Sequence, residues 1–120
     1  MSRIRNVMDI ANLAMRKRNK YNARKCEVDG QLFDSKKEAA KWGELKLLIK
    51  AGEIRNIKRQ VRFSIHVNEE HICDYIADFV FDRNGEEVVM DVKSKATRTP
   101  VYRLKAKLLH AVHGIRIEEA

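Results

Sequence analysis

Proline occurs once, at Pro100, and glycine only five times. That scarcity excludes a collagen-like or linker-like chain. The two cysteines, Cys26 and Cys73, form neither a metal-ligand spacing nor a disulfide framework. A small disulfide-stapled secreted scaffold is therefore excluded, and a reducing cytoplasm is the simplest compartment. No stretch approaches the roughly 20 apolar residues that a membrane-spanning helix needs. The start, Met1-Ser2-Arg3-Ile4-Arg5, has no apolar run of the kind a secretory signal requires. No GxxxxGK loop occurs, which argues against an ATPase. Acidic residues are missing altogether from 92–117, where seven Lys and Arg fall.

What remains is a basic chain of 120 residues with a net charge of +8, long enough for one modest core. Apolar residues make up 44% and charged residues 35%, a globular balance. The positive charge is concentrated. Residues 1–25 carry eight Lys and Arg against Asp9 alone. Two basic regions thus flank an acidic middle. Such runs are often merely solvated faces. They also suit phosphate contact, because Lys and Arg release condensed counterions on meeting nucleic acid.

Hydrophobic spacing predicts the elements. Ile4, Val7, Met8, Ala11 and Met15 recur at helical spacing, so 3–18 reads as an amphipathic arm. The arm is set at 1–20 and a core domain at 21–120. Residues 26–33 read as a hairpin around Asp29-Gly30, a pair that suits a type I′ turn. Ser35 with Glu38 forms a capping box and opens a helix that runs to about Ala51. Its apolar face is Ala39, Trp42, Leu45, Leu48 and Ile49. A strand begun by Gln60 follows, with Val61, Phe63, Ile65 and Val67 alternating against polar residues. A second strand runs from Cys73 through Tyr75, Ala77, Phe79 and Phe81. Asn84-Gly85 turns it back through Glu86 to Lys93. Thr99-Pro100 opens a last helix that presents Val101, Leu104, Leu108, Leu109 and Val112 and stops at Gly114. An edge strand over 115–118 closes the order. The expected class is α/β, a central mixed sheet flanked by helices with an N-terminal helical arm.

Counting outward from a two-residue turn at Asn84-Gly85 pairs Arg83 with Glu86, Phe79 with Met90 and Asp78 with Asp91. Facing carboxylates repel. A cation or a proton between them relieves the repulsion, and a bulge would move the pairing instead. Lys93 shares the face of Asp91, two residues away. Two carboxylates and an ammonium at one place suit Mg²⁺ or Mn²⁺ and the activation of a water. The bland alternative is a surface hairpin with ordinary acids and a salt-bridging lysine.

Ile76-Ala77-Asp78-Phe79, a turn, then Asp91-Val92-Lys93 resembles the split signature of the PD-(D/E)XK nuclease superfamily. Ala77 stands where the motif is named for proline. Phe33-Asp34-Ser35-Lys36-Lys37-Glu38 resembles the acid-bearing helix start of its phage members. The stretch from Tyr21 to Glu118 is similar to small Holliday-junction-resolvase-like phage proteins and, more remotely, to phage endonuclease I. The resemblance implies a restriction-endonuclease-like core and Mg²⁺-dependent hydrolysis of DNA that leaves a 5′-phosphate. It implies Glu38, Asp78 and Asp91 as metal ligands, with Glu44 as an alternative helix acid, and Lys93 as the residue serving the water.

Branched DNA is then the expected substrate. Arg16, Lys17, Arg18 and Lys20 of the arm, with Lys95, Arg98, Arg103, Lys105 and Lys107, are the expected phosphate contacts. Symmetric cutting of a junction needs two sites, so a homodimer is expected. The rival readings are a non-catalytic nucleic-acid-binding protein on the same fold and a nuclease without structural preference. His110 and His113 have helical ligand spacing but no third partner in sequence, and Trp42 reads as core.

Overall fold

The computed structural model describes residues 25–120. The arm over 1–20, with Arg16, Lys17, Arg18 and Lys20, lies outside the described residues. The chain divides into two compact units, Met1–Ala40 and Lys41–Ala120.

In the first unit, β1 (Cys26–Val28) and β2 (Gln31–Phe33) pair antiparallel. Asp29 and Gly30 take φ of 55° and 73°. Positive φ at both central positions defines the type I′ turn that Asp-Gly favours. Helix α1 (Lys36–Lys50) starts in this unit and continues into the second. The Ser35 hydroxyl accepts the Glu38 N–H at 3.1 Å, and Glu38 Oε1 accepts the Asp34 N–H at 3.3 Å. Two otherwise orphaned amides are satisfied by one tetrapeptide. At the far end Glu53 N–H donates to the Leu48 carbonyl and Gly52 N–H to that of Ile49. Gly52 supplies the left-handed residue (φ 79°) that this closure needs.

The second unit is built on a mixed four-stranded sheet, ordered β3-β4-β5-β6. Its strands are β3 (Ile54–Val67), β4 (Glu70–Arg83), β5 (Glu86–Asp91) and β6 (Ile117–Glu119). The first three are antiparallel hairpin neighbours, and β6 joins β5 in parallel. The parallel step is made through helix α2 (Pro100–His113), as parallel neighbours require a crossover. Thr99 caps α2 by accepting the Tyr102 N–H at 3.1 Å, and Gly114 ends it in the left-handed region.

The expected α/β class and mixed sheet are observed, but β4 begins at Glu70 rather than Cys73, β5 ends at Asp91 rather than Lys93, and three further details differ. First, β3 begins at Ile54, not at Gln60. Asn56 and Gln60 both have positive φ, and the register shifts between Arg55 and Lys58. Residues 54–60 therefore carry no clean period of two. Second, the last strand is 117–119, not 115–118. Third, α2 is rotated from its expected face. Val101, Leu104 and Val112 are exposed, whereas Tyr102 and Leu109 are buried. Tyr102 is amphipathic, so an apolar count passes over it, yet its ring fills the core.

That core joins Ile65, Tyr75, Ala77, Val80 and Val89 of the sheet to Tyr102 and Leu109 of α2. Tyr75, Ala77, Phe79 and Phe81 are buried in unbroken alternation along β4, and Val80 between the last two is buried as well. Phe79 is fully buried and stacks on Trp42 of α1, with ring centroids 6.2 Å apart. Asp78 lies half-buried between Ala77 and Phe79.

Candidate functional site

The β4–β5 hairpin turns at Asn84 and Gly85 with φ of 54° and 80°. Its register is unbroken from Arg83–Glu86 to Phe79–Met90. Asp78 and Asp91 come next, at the buried end. They do not oppose one another as bare charges. Asp91 Oδ1 accepts the Asp78 N–H at 2.9 Å, and Asp78 Oδ2 accepts the Val92 N–H at 2.9 Å. Each carboxylate takes a backbone donor from the opposite side of the strand pair. These amide donors offset part of the repulsion between the two carboxylates. Such bonds also fix both carboxylates far more tightly than a surface rotamer would.

Asp91 is 2% exposed. Burial pushes its carboxyl above the ordinary aspartate value, opposed by the Asp78 amide and by the Lys93 charge. Lys93 Nζ lies 4.0 Å from Asp91 Oδ2. The backbone on either side of Val92 is clamped as well. Asp91 accepts the Ala120 N–H at 2.8 Å, and Lys93 donates to the Ala120 carbonyl at 3.2 Å. β5 ends at Asp91, and Lys93, two residues beyond it, still stands on the side of the pair read from sequence.

The partner of Gln60 is the first omission, for the sequence offers that residue only as the polar start of a strand. Gln60 lies opposite Asp78, between the pairs Arg59–Phe79 and Val61–Ala77, and donates through Nε2 to Asp78 Oδ1 at 3.3 Å. Its φ is 52°, an uncommon conformation for a residue with a side chain. Asn56 repeats the device four residues earlier, with φ 56° and a 2.8 Å bond from Nδ2 to Asp82 Oδ2. Counting back from the Asn68-Glu69 turn would set Gln60 opposite Ala77. A bulge between Ile65 and His66 shifts the register by one and delivers it to Asp78.

Tyr102 and Glu119 are the second omission. The Lys93 ammonium sits over the Tyr102 ring, 4.1 Å from its centroid. The Tyr102 hydroxyl donates to Glu119 Oε2 at 2.7 Å, and Arg98 Nε donates to Glu119 Oε1 at 2.7 Å. Burial and the Glu119 carboxylate hold the phenol well above its ordinary value. The same hydroxyl and the Arg98 guanidinium hold Glu119 below its own. The parallel register of β6 sets Glu119 beside Asp91. A three-residue strand paired through a helix leaves no local pattern that announces this.

The expected basic residues divide. Lys95, Arg98, Arg103 and Lys107 are exposed, and Lys105 is half-buried. Arg103 and Lys107 share one face of α2 at i and i+4, while Lys105 points roughly the opposite way. Arg98 is engaged with Glu119. Glu38 belongs to the first unit, where it is 3% exposed and closes the start of α1. Glu44 is exposed and paired with Lys41 at 3.2 Å. Among the described residues no group of three or more His, Cys, Asp or Glu side chains is placed to share a metal ion. No helix of the described residues is long and apolar enough to cross a membrane.

These features define an α/β protein whose mixed sheet carries an amide-fixed carboxylate pair beside a lysine. The chain belongs to the DUF1064 family, described as a protein of unknown function, which it matches over residues 18–114. No curated protein and no solved structure matches it.

Proposed function

We propose that the chain is a metal-dependent DNA endonuclease with a restriction-endonuclease-like core, acting on branched DNA as a phage junction resolvase does. The observation that carries this is the carboxylate pair. Asp78 and Asp91 are pinned by reciprocal backbone bonds at a buried strand end, with Lys93 4.0 Å from Asp91. A fold gains little from two close carboxylates at such a place unless they hold something. Their oxygens fit a hard dication, since Mg²⁺ is commonly held by one or two carboxylates together with waters and substrate phosphates. When bound, such an ion supplies Lewis acidity toward a phosphate oxygen and lowers the pKa of a coordinated water. The protein's own part is then clear. Asp78 and Asp91 present the ligating oxygens, Gln60 orients Asp78, and Lys93 brings positive charge to the phosphate. Arg103 and Lys107, with Lys95, meet neighbouring phosphates. The resemblance would add Glu38, which Glu38→Gln tests separately, and a homodimer in a host cytoplasm, with the basic arm drawn to DNA.

The test is cleavage of a four-way junction and of the matching linear duplex, with and without Mg²⁺. Asp78→Asn and Asp91→Asn are expected to lose at least roughly a hundredfold in rate while DNA binding is kept. Asn preserves an acceptor for each backbone amide, so the fold is expected to survive. Normal cleavage by Asp91→Asn overturns the assignment. A second reading, a non-catalytic nucleic-acid-binding protein, is favoured by the two-carboxylate donor set, because a third shared ligand is not found among the described residues. Binding without cleavage in the parent protein would select it.

A further inference from the structure

The nuclease reading leaves the placement of Lys93 to a long flexible side chain. Lysine has four rotatable carbons and a compact, strongly hydrated charge. Its distance to Asp91, 4.0 Å, is at the outer edge of an ion pair. The Tyr102 ring closes the other side at 4.1 Å. We propose that Tyr102 is a positioning residue that holds the Lys93 ammonium at the carboxylate pair by its ring face, its own ring being locked by the Glu119 carboxylate.

Three independent restraints fix that ring. Its edge packs in the α2–sheet core beside Tyr75, with centroids 6.3 Å apart. Its backbone N–H is taken by the Thr99 cap. Its hydroxyl is taken by Glu119, itself held by Arg98 at 2.7 Å. Burial and Glu119 raise the phenol, and the phenol hydroxyl and Arg98 lower Glu119, so both shifts favour a hydroxyl that donates to a carboxylate. A cation over a π face gains most where water is excluded, and Tyr102 is 8% exposed. The arrangement ties three segments to one atom. Strand β5 and its continuation carry Asp91 and Lys93, α2 carries Tyr102, and β6 carries Glu119. The β5–α2–β6 crossover thereby becomes part of the active geometry rather than a mere covering layer.

This proposal rests on the nuclease reading, and its test separates the two. Full-length protein labelled at the lysine ε-carbons is observed by NMR, alongside Mg²⁺-dependent cleavage at fixed pH. A ring 4.1 Å away is expected to move the Lys93 ε-methylene resonance upfield of the other lysines. Tyr102→Phe keeps the ring but loses the hydroxyl that Glu119 anchors, so a reduced shift that is not abolished is expected. Tyr102→Leu is expected to abolish the shift and to lower kcat by roughly tenfold with KM unchanged, and Phe at the same position restores kcat in part. A folded Tyr102→Leu protein with either an unmoved Lys93 resonance or a parental kcat overturns the proposal. If Tyr102→Leu does not fold, Glu119→Gln takes its place. It leaves the ring but weakens its anchor, and a smaller shift with a lowered kcat is expected; no change in either overturns the proposal. A parent protein that shows the shifted lysine yet cleaves no DNA overturns the nuclease reading, and the catalytic role of Tyr102 with it.

Discussion

Strand β4 has two partners, and it treats them differently. Toward β5 it keeps five consecutive pairs without interruption, from a turn spelled Asn84-Gly85. Toward β3 it runs longer, but the register shifts twice and the turn is Asn68-Glu69. Both turns place two residues at positive φ, 54° and 80° in the first, 51° and 69° in the second. The difference shows two ways of positioning a polar group. A regular hairpin places Asp78 and Asp91 by simple counting. An irregular one brings Gln60 and Asn56 to acids that counting would not give them, at the cost of two strained residues.

The contrast is open to attack. The largest effect is expected on the regular side. Phe79 is fully buried and bears on Trp42, so Phe79→Ala is expected to cost about 3–5 kcal/mol. Denaturant unfolding measures it, and a loss near 1 kcal/mol or below would mean that the β4–β5 layer is not what anchors Asp78.

A smaller, pH-dependent effect is expected on the irregular side. Asp74 accepts from His71 at 2.8 Å, Arg62 at 2.9 Å and Ser64 at 3.2 Å, joining β3 to β4 by side chains. The His71 bond, then those of Ser64 and Arg62, hold its carboxyl below the ordinary value of 3.8. A folded-state value below the unfolded one adds stability that is present above the unfolded pKa and lost as pH falls through the folded one. Asp74→Asn is therefore expected to melt earlier than the parent at neutral pH, with the gap closing below about pH 4. Melting curves across that range decide it. A gap that stays constant in acid would show that the carboxylate charge does not hold the irregular hairpin.

The smallest effect tests the turn itself. Glu69 occupies the position that glycine holds in the other hairpin, at φ 69°. Glu69→Gly relieves that conformation but loosens the unfolded chain, for a net gain of about 0.5 kcal/mol. A loss instead would mean that the Glu69 side chain holds the turn.

Much of this was legible beforehand, for identifiable reasons. Ser35 and Glu38 announce the start of α1 because capping is a local exchange of hydrogen bonds. Asp29-Gly30 and Asn84-Gly85 announce their turns because few residue pairs accept two positive φ values. Asp78, Asp91 and Lys93 were brought together by the same counting. Tyr102 was missed because an apolar count along α2 favours Val101 and Leu104, both of which face solvent. The partner of Gln60 was missed because a bulge five residues away sets it. Glu119 was missed because a short parallel strand takes its register from a crossover and not from a turn.

The sequence by itself determined α1, α2, the tight turns and the meeting of Asp78 with Asp91, since each depends on residues close in the chain and on fixed periods of 3.6 and 2. It did not determine which amides would hold those carboxylates, nor that Gln60 and Tyr102 would stand beside the site. Those outcomes belong to the tertiary structure. A one-residue bulge reverses which side chains face each other, and the rotation of α2 is set by how its largest ring packs, which no local pattern encodes.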